Sequence, residues 1–314
     1  MRLQLSIVCL AGLGGICPAQ AQSQAQSQAQ NQAQPNNNGL SAQVEVYGGQ
    51  DVVPPDVIES GITQERIEGL IGAGAEVIYR IGDTRLTADA GAEVYPVDER
   101  YNRYSIGGRV AQDIPLSNDR RTRLRLGAGY QHVFGEDGRV FGRLRADSQL
   151  IHRHGASNTS VARLRYGRRN QSEERFTGFD QDEWLLELRH TWRPGGGPGS
   201  ISASLLGLKH DAEEDRFSYD GYGFRVVGRM PLDDEWAVSG RLSVVQRDYK
   251  APFSALFPED RSDTHIRAVV GAERNIGSNL ILFGEGGYVS NPSNIPVRDY
   301  NGVVATAGVR WLIK

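Results

Sequence analysis

The sequence predicts an all-β fold: an antiparallel up-and-down transmembrane β-barrel of about fourteen strands. Three observations predict it. Apolar and polar residues alternate with a period of two along most of the chain, which is the signature of strands with one apolar face. The links between these segments are short and long by turns. Aromatic residues stand at both ends of the apolar faces.

The stretch DEWLLELRHTW (182–192) shows the pattern at its clearest. Trp184, Leu186, Leu188, His190 and Trp192 share one face, and Leu185, Glu187, Arg189 and Thr191 share the other. The two tryptophans are eight residues apart. Eight residues at about 3.3 Å each span roughly 26 Å, and a tilt near 40° leaves roughly 20 Å along the membrane normal. That is close to the height of a lipid-facing band, so Trp184 and Trp192, with Trp236 and Trp311, are expected in aromatic girdles.

The fourteen segments, this one included, are in order 42–49, 66–80, 84–95, 101–113, 121–134, 139–152, 158–168, 183–193, 200–210, 217–230, 235–249, 262–275, 279–290 and 299–313. Short turns are expected at IGDT (81–84), PLSND (115–119), HGASN (154–158), PGGGPG (194–199), PLDDE (231–235) and NIGSN (275–279). Longer links lie between them at 50–65, 96–102, 168–182, 211–220, 250–263 and 290–299. One link, GEDG (135–138), is short where a long one is due. Short turns on one side and long loops on the other is the plan of an outer-membrane barrel, with both chain ends on the short-turn side.

The N-terminus agrees with that compartment. Arg2, an apolar run from Leu5 to Ile16 and the small-x-small site Ala19-Gln20-Ala21 read as a secretory signal over 1–21. Both cysteines, Cys9 and Cys17, fall inside it, preceded by Val8 and Ile16 rather than the small residue of a lipobox. The mature chain therefore offers neither a disulfide scaffold nor a thiolate metal site. Residues 22–40, rich in Gln, Ala and Asn, read as a disordered periplasmic tether, and 41–314 as the barrel. No mature segment approaches 18 uninterrupted apolar residues, so no helix is expected to span a membrane. A formal charge of -3 gives no case for nucleic acid as a partner.

The opposite face of each strand carries the chemistry. Leu124, Leu126, Ala128 and Tyr130 oppose Arg123 and Arg125, and Val140, Leu144 and Ala146 oppose Arg143, Arg145 and Asp147. Tyr222, Phe224, Val226 and Met230 oppose Arg225 and Arg229, while Ile266, Ala268, Val270 and Ala272 oppose His265, Arg267 and Glu273. The last strand sets Val303, Ala305, Ala307, Val309, Trp311 and Ile313 against Thr306 and Arg310. The lumen is thus expected to receive these arginines together with Arg163, Arg165, Arg189, Arg241 and Arg247. Acids gather early, at Glu45, Glu68, Glu76, Asp89 and Glu93, with Asp147, Glu187 and Glu273 later. One acidic wall facing a basic remainder would favour anions in an open pore. The same residues, paired, would brace a filled lumen, since arginine stays charged and grips carboxylates in a bidentate way.

No enzyme is expected. A nucleophile beside a base with an orienting third group is not visible around His132, His152, His154, His190, His210 or His265. HRH (152–154) could pair on a metal but reads better as a solvated turn, and no metal or cofactor is predicted. The expected partners are outer-membrane lipid, the barrel assembly machinery during insertion, and through the lumen either anionic small solutes or a lipoprotein substrate.

The C-terminal third, from SYDGYGF (218–224) to GVRW (308–311), resembles the barrel of the surface lipoprotein assembly modifiers and related solitary barrels. The shared pattern is R-x-D (Arg261, Asp263) and then S-N-x5-Y (Ser293, Asn294, Tyr300) before the closing strand. The resemblance implies a fourteen-strand barrel that helps lipoproteins cross to the cell surface. In that family a periplasmic helical-repeat domain usually precedes the barrel, whereas here a Gln-rich tether stands in its place. The chain also ends Trp311-Leu312-Ile313-Lys314 rather than on the usual aromatic residue.

Overall fold

The alternation places every second side chain outward and pairs each segment with its sequence neighbour. The computed structural model describes residues 38–53, 57–58, 61–62, 66–136, 138–172 and 178–313. Its strands are β1 (Gly39–Val53), β2 (Val57–Ile58), β3 (Gly61–Ile62), β4 (Arg66–Ile81), β5 (Thr84–Val94), β6 (Arg103–Pro115), β7 (Thr122–Gly135) and β8 (Gly138–Arg153). They continue with β9 (Asn158–Gln171), β10 (Gln181–Trp192), β11 (Ser200–Ala212), β12 (Tyr219–Pro231), β13 (Trp236–Ser254), β14 (Phe257–Ile276), β15 (Leu280–Asn291) and β16 (Tyr300–Ile313). β2 and β3 form a separate two-stranded ribbon. The other fourteen strands make one closed antiparallel barrel, sealed by β1 against β16 in a register that sets Ala42 opposite Ile313 and Gln50 opposite Ala305.

Closure matters physically, because an open sheet edge in lipid would strand backbone donors and acceptors without partners. No helix among the described residues is long and apolar enough to cross a membrane. The outer surface identifies the crossing element instead. Every barrel strand presents at least one large apolar residue outward, among them Val44, Ile106, Leu164, Leu205, Val270 and Val309. A continuous apolar exterior of this kind is a lipid-facing surface. At the short-turn end it is rimmed by Trp192, Trp236 and Trp311, and at the other by Trp184, Tyr104, Tyr222 and Tyr288, all of them outward. Trp184 also packs on Tyr166 of the neighbouring strand, with ring centroids 4.9 Å apart.

The short turns reverse the chain where glycine permits it. Gly82 and Gly277 have φ of 57° and 69°, a region that side chains with a Cβ avoid. Gly135 of β7 stands opposite Gly138 of β8, so this link is short, as expected.

The structure corrects four expectations. The barrel starts at Gly39, so the last residues assigned to the tether belong to β1; the signal and residues 22–37 lie outside the described residues. The link 250–263 is mostly strand: β13 and β14 extend past the others into a hairpin closed by Ser254 opposite Phe257. Its register shifts around Pro252, which has no backbone N–H for the ladder. Val140, assigned to the lipid face, is only 4% exposed and packs with Val133, Phe179 and Phe217. An irregularity between Val133 and Phe134 shifts the pairing there and ends the simple parity of β8. Leu185, on the face read as polar, is buried in an apolar cluster with Leu206, Leu208, Tyr219, Val245 and Tyr249.

Candidate functional site in the barrel lumen

Cross-strand partners in an antiparallel pair point to the same side of the sheet. The inner face can therefore be followed around the barrel. The burial alternation puts Glu68 and Glu76 of β4, Asp89 and Glu93 of β5, and Arg123 and Arg125 of β7 inside. It does the same for Arg143 and Arg145 of β8, Arg163 and Arg165 of β9, Arg189 of β10, and Arg241 and Arg247 of β13, and the register carries the face on to Arg225 and Arg229 of β12 and Arg267 of β14. The sequence-derived lumen residues are thus on the inner face.

Their partners form a ladder. Asp113 of β6 receives Arg125 at 2.5 Å and Arg123 at 3.4 Å. Asp147 of β8 is shared by Arg109 at 2.5 Å and Arg163 at 3.4 Å. Glu183 of β10 is held by Arg143, by Arg169 at 3.0 Å and by the Gln181 amide at 3.1 Å. Arg143 is 0% exposed, so its charge is sustained by that carboxylate alone among its ion pairs. Glu187 accepts from Ser204 at 2.9 Å. Across the seam, Arg310 of β16 lies 3.1 Å from Glu45 of β1 and 3.2 Å from Glu273 of β14, which Arg229 also reaches at 3.0 Å.

The early acids do line one sector, β1 to β5; Glu45 takes Arg310, and two of the others take neutral donors. The Tyr47 hydroxyl donates to Glu93 at 2.8 Å, and the Gln43 amide to Glu76 at 3.2 Å. Tyr47 lies across Gly72 of β4: a Cβ there would come within 2.1 Å of its ring, so only glycine leaves room. Several inner arginines are different. Among the described residues, Arg85, Arg145, Arg165, Arg225, Arg241, Arg247 and Arg267 make no ion pair within 4.0 Å. Arg225 and Arg267 flank Ser243 in register, and Arg241 lies one rung away. Arg145 keeps two buried guanidinium nitrogens without a hydrogen-bond partner.

The long-loop end is narrowed by side chains that turn inward. Ile295 and Val297, from the β15–β16 loop, are 0% exposed and pack on Phe253. Arg298 and Arg261 lie over the Phe253 ring at 4.8 and 5.6 Å, and Arg261 over Tyr249 at 4.1 Å. The motif residues sit in this clasp. Arg261 pairs with Asp263, Asp263 bridges to Ser293, and Asn294 accepts from the Ser262 N–H at 2.8 Å while donating to the Asp260 carbonyl at 2.8 Å.

Sequence reasoning missed Arg109, Arg169, Asp113, Glu183 and Glu285 on the inner face, although their parity in the same segments would have found them. It also missed the apolar inner wall of β10 to β13, whose strands read as polar on that side only in part. Of the histidines, His210 stacks on Tyr219 with centroids 4.4 Å apart inside the barrel, and His132 stacks on Phe134 at 5.0 Å. His152, His154 and His190 lie together on the outer wall at the short-turn end. Among the described residues, no group of three or more His, Cys, Asp or Glu is placed to hold a metal ion.

No family model matches the chain, and no curated protein matches it. Among solved structures it is similar to an outer membrane channel from Pseudomonas putida, with 12% identity, 90% of this chain and 97% of that chain covered, and a TM-score of 0.49. It is similar to Omp33 of Acinetobacter baumannii (9% identity, 89% and 100% covered, TM-score 0.46) and to an anion-selective porin from Comamonas acidovorans (11%, 88% and 100%, 0.43). By its own geometry the chain is a closed fourteen-strand barrel of the outer-membrane type, with a charge-laddered interior.

Proposed function

We propose that the chain is a narrow outer-membrane channel for small anionic solutes, with its short turns and the residues ahead of Gly39 in the periplasm. The observation that carries this reading is the group of inner arginines without ion-pair partners, among them Arg145, Arg165, Arg225, Arg241 and Arg267. Paired guanidiniums brace the wall. Those without a carboxylate leave net positive potential inside, and the low-dielectric barrel wall focuses it along the lumen.

A second reading, a braced barrel with a filled lumen, is favoured by the ion-pair ladder and by the inward packing of Ile295 and Val297. Export of a lipoprotein is the weaker alternative, because the residues that carry that resemblance are engaged in the clasp between β14 and the β15–β16 loop.

The experiment is conductance of purified protein in a planar bilayer under a salt gradient. The channel reading expects conduction with a reversal potential on the anion side, and a smaller anion preference after joint replacement of Arg145, Arg165, Arg225, Arg241 and Arg267 by Gln. Cation preference in the wild type would refute it. Silence in both proteins would move the conclusion to the braced barrel.

A further inference from the structure

The outer wall of the barrel holds a feature that transport through the lumen does not use. Between β9 and β12 the lipid-facing surface is dented where Ala162 and Ala203 stand among Leu188, Leu205, Phe224 and Val226, leaving a depression of about 450 Å³. Its lining is overwhelmingly apolar, and it opens onto the hydrocarbon layer, so what fills it there is an acyl chain. A drug-sized ligand fills a pocket of about this volume.

The foot of the dent is polar. His190 and Ser160 are directly opposite each other across the β9–β10 pair, one rung above Trp192 and its partner Asn158. The Ser160 hydroxyl lies 3.0 Å from His190 Nδ1 and 2.8 Å from His154 Nε2, and His190 Nε2 lies 3.1 Å from the Asn158 amide oxygen. The His152 ring packs against His154 at 4.6 Å and meets the Thr122 hydroxyl at 2.8 Å. Three imidazoles and their hydroxyl partners thus gather on the outside of the barrel beside a girdle tryptophan, which is the level of lipid headgroups.

Charge at that level is one-sided. The two turns under this sector, 154–157 and 193–199, contain no acid and carry His154 on the outer side, while Arg153 and Arg193 follow the inner parity of β8 and β10. The turn under β12 and β13, by contrast, carries Asp233, Asp234 and Glu235. An anionic group is favoured under the first sector and repelled under the second.

We infer that the dent and the histidine network below it form a binding site for one glycerophospholipid of the leaflet at the short-turn end. An acyl chain lies over Ala162 and Ala203, and the phosphodiester oxygens accept from His154 Nδ1–H and, in place of the Asn158 amide oxygen, from His190 Nε2–H, with Ser160 holding the two rings together. The inference concerns the outer wall only and does not depend on whether the lumen conducts.

Native mass spectrometry of the purified full chain, titrated with dioleoylphosphatidylglycerol, tests it. One lipid per chain should survive collisional activation that strips the rest. His154→Ala with His190→Ala should bind it about tenfold more weakly. Ala203→Leu, which fills the dent and leaves the polar network in place, should weaken it as well. Ala268→Leu, a lipid-facing change on β14, should leave it unchanged and reports that such substitutions permit folding. A graded series of adducts that is the same in all four proteins would overturn the site. Equal retention of oleic acid would overturn the assignment to a phosphodiester, and steady release of lysolipid would replace a holding site by a hydrolytic one.

Discussion

Leu188→Arg probes the membrane placement at its most sensitive point. Leu188 lies midway between Trp184 and Trp192, four residues from each, and its side chain is 51% exposed on the outer face. Four residues cover about 13 Å of strand, or roughly 10 Å of depth at the usual tilt, so this position sits near the centre of the apolar band. An arginine at the bilayer midplane costs about 2–4 kcal/mol, equivalent to a roughly 30- to 900-fold loss in the folded-to-unfolded ratio. Near either interface the same charge costs only about 0–1 kcal/mol, so arginine at Trp184 or Trp192 should be far milder. The next residue in the chain, Arg189, faces inward, and its replacement by Gln lies outside the depth rule altogether. Urea titration of the protein folded into lipid vesicles, followed by tryptophan fluorescence and by heat-modifiable gel migration, measures each variant. The expected profile along β10 is a peak at Leu188 with low shoulders. A flat profile, or a larger loss at Trp192 than at Leu188, would refute the placement of the band.

Three further outcomes are expected. Glu183→Gln leaves Arg143 buried without its carboxylate and should cost about 3–5 kcal/mol in the same titration, while Arg143→Met combined with Glu183→Leu should recover much of it. Gly72→Ala should be destabilising because its Cβ meets the Tyr47 ring, and Tyr47→Ala in the same chain should relieve the clash, a non-additivity that a double-mutant cycle reads directly. Asn294→Ala removes two hydrogen bonds that fix the β15–β16 loop; faster proteolysis between Pro292 and Asp299, with the barrel core intact, is the expected signature.

The fourteen strands and their inward faces were legible because a half-buried strand imposes a strict period of two, and a slip by one residue would put Arg143 or Arg225 into lipid. The outward placement of Trp184, Trp192, Trp236 and Trp311 followed from the same count. The misread positions have local causes that a periodicity does not encode. Val140 lies beside an irregular pairing that reverses the parity, and the 250–263 link continues as strand because Pro252 is accommodated where the register shifts. The charge partners were the least legible part. Which acid meets which arginine depends on the registers of neighbouring strands: Asp147 serves Arg109 and Arg163 from opposite sides, and the Arg310–Glu45 pair joins residues 265 apart. The apolar inner wall was hidden for a related reason, since Leu206, Tyr219 and Val245 come together only around the circumference.

That long-range pair sits on the seam, and the seam has a kinetic meaning. Every other neighbouring pair of barrel strands is contiguous in sequence or separated by one loop, so hairpins can form locally and quickly. β1 and β16 must instead find each other across nearly the whole chain. Until they do, two strands expose free edges ready to pair with another polypeptide. The seam is therefore expected to be the slowest step of insertion and the point at which a stalled chain aggregates. Arg310, reaching both Glu45 and Glu273, is the residue whose loss should lengthen that interval most.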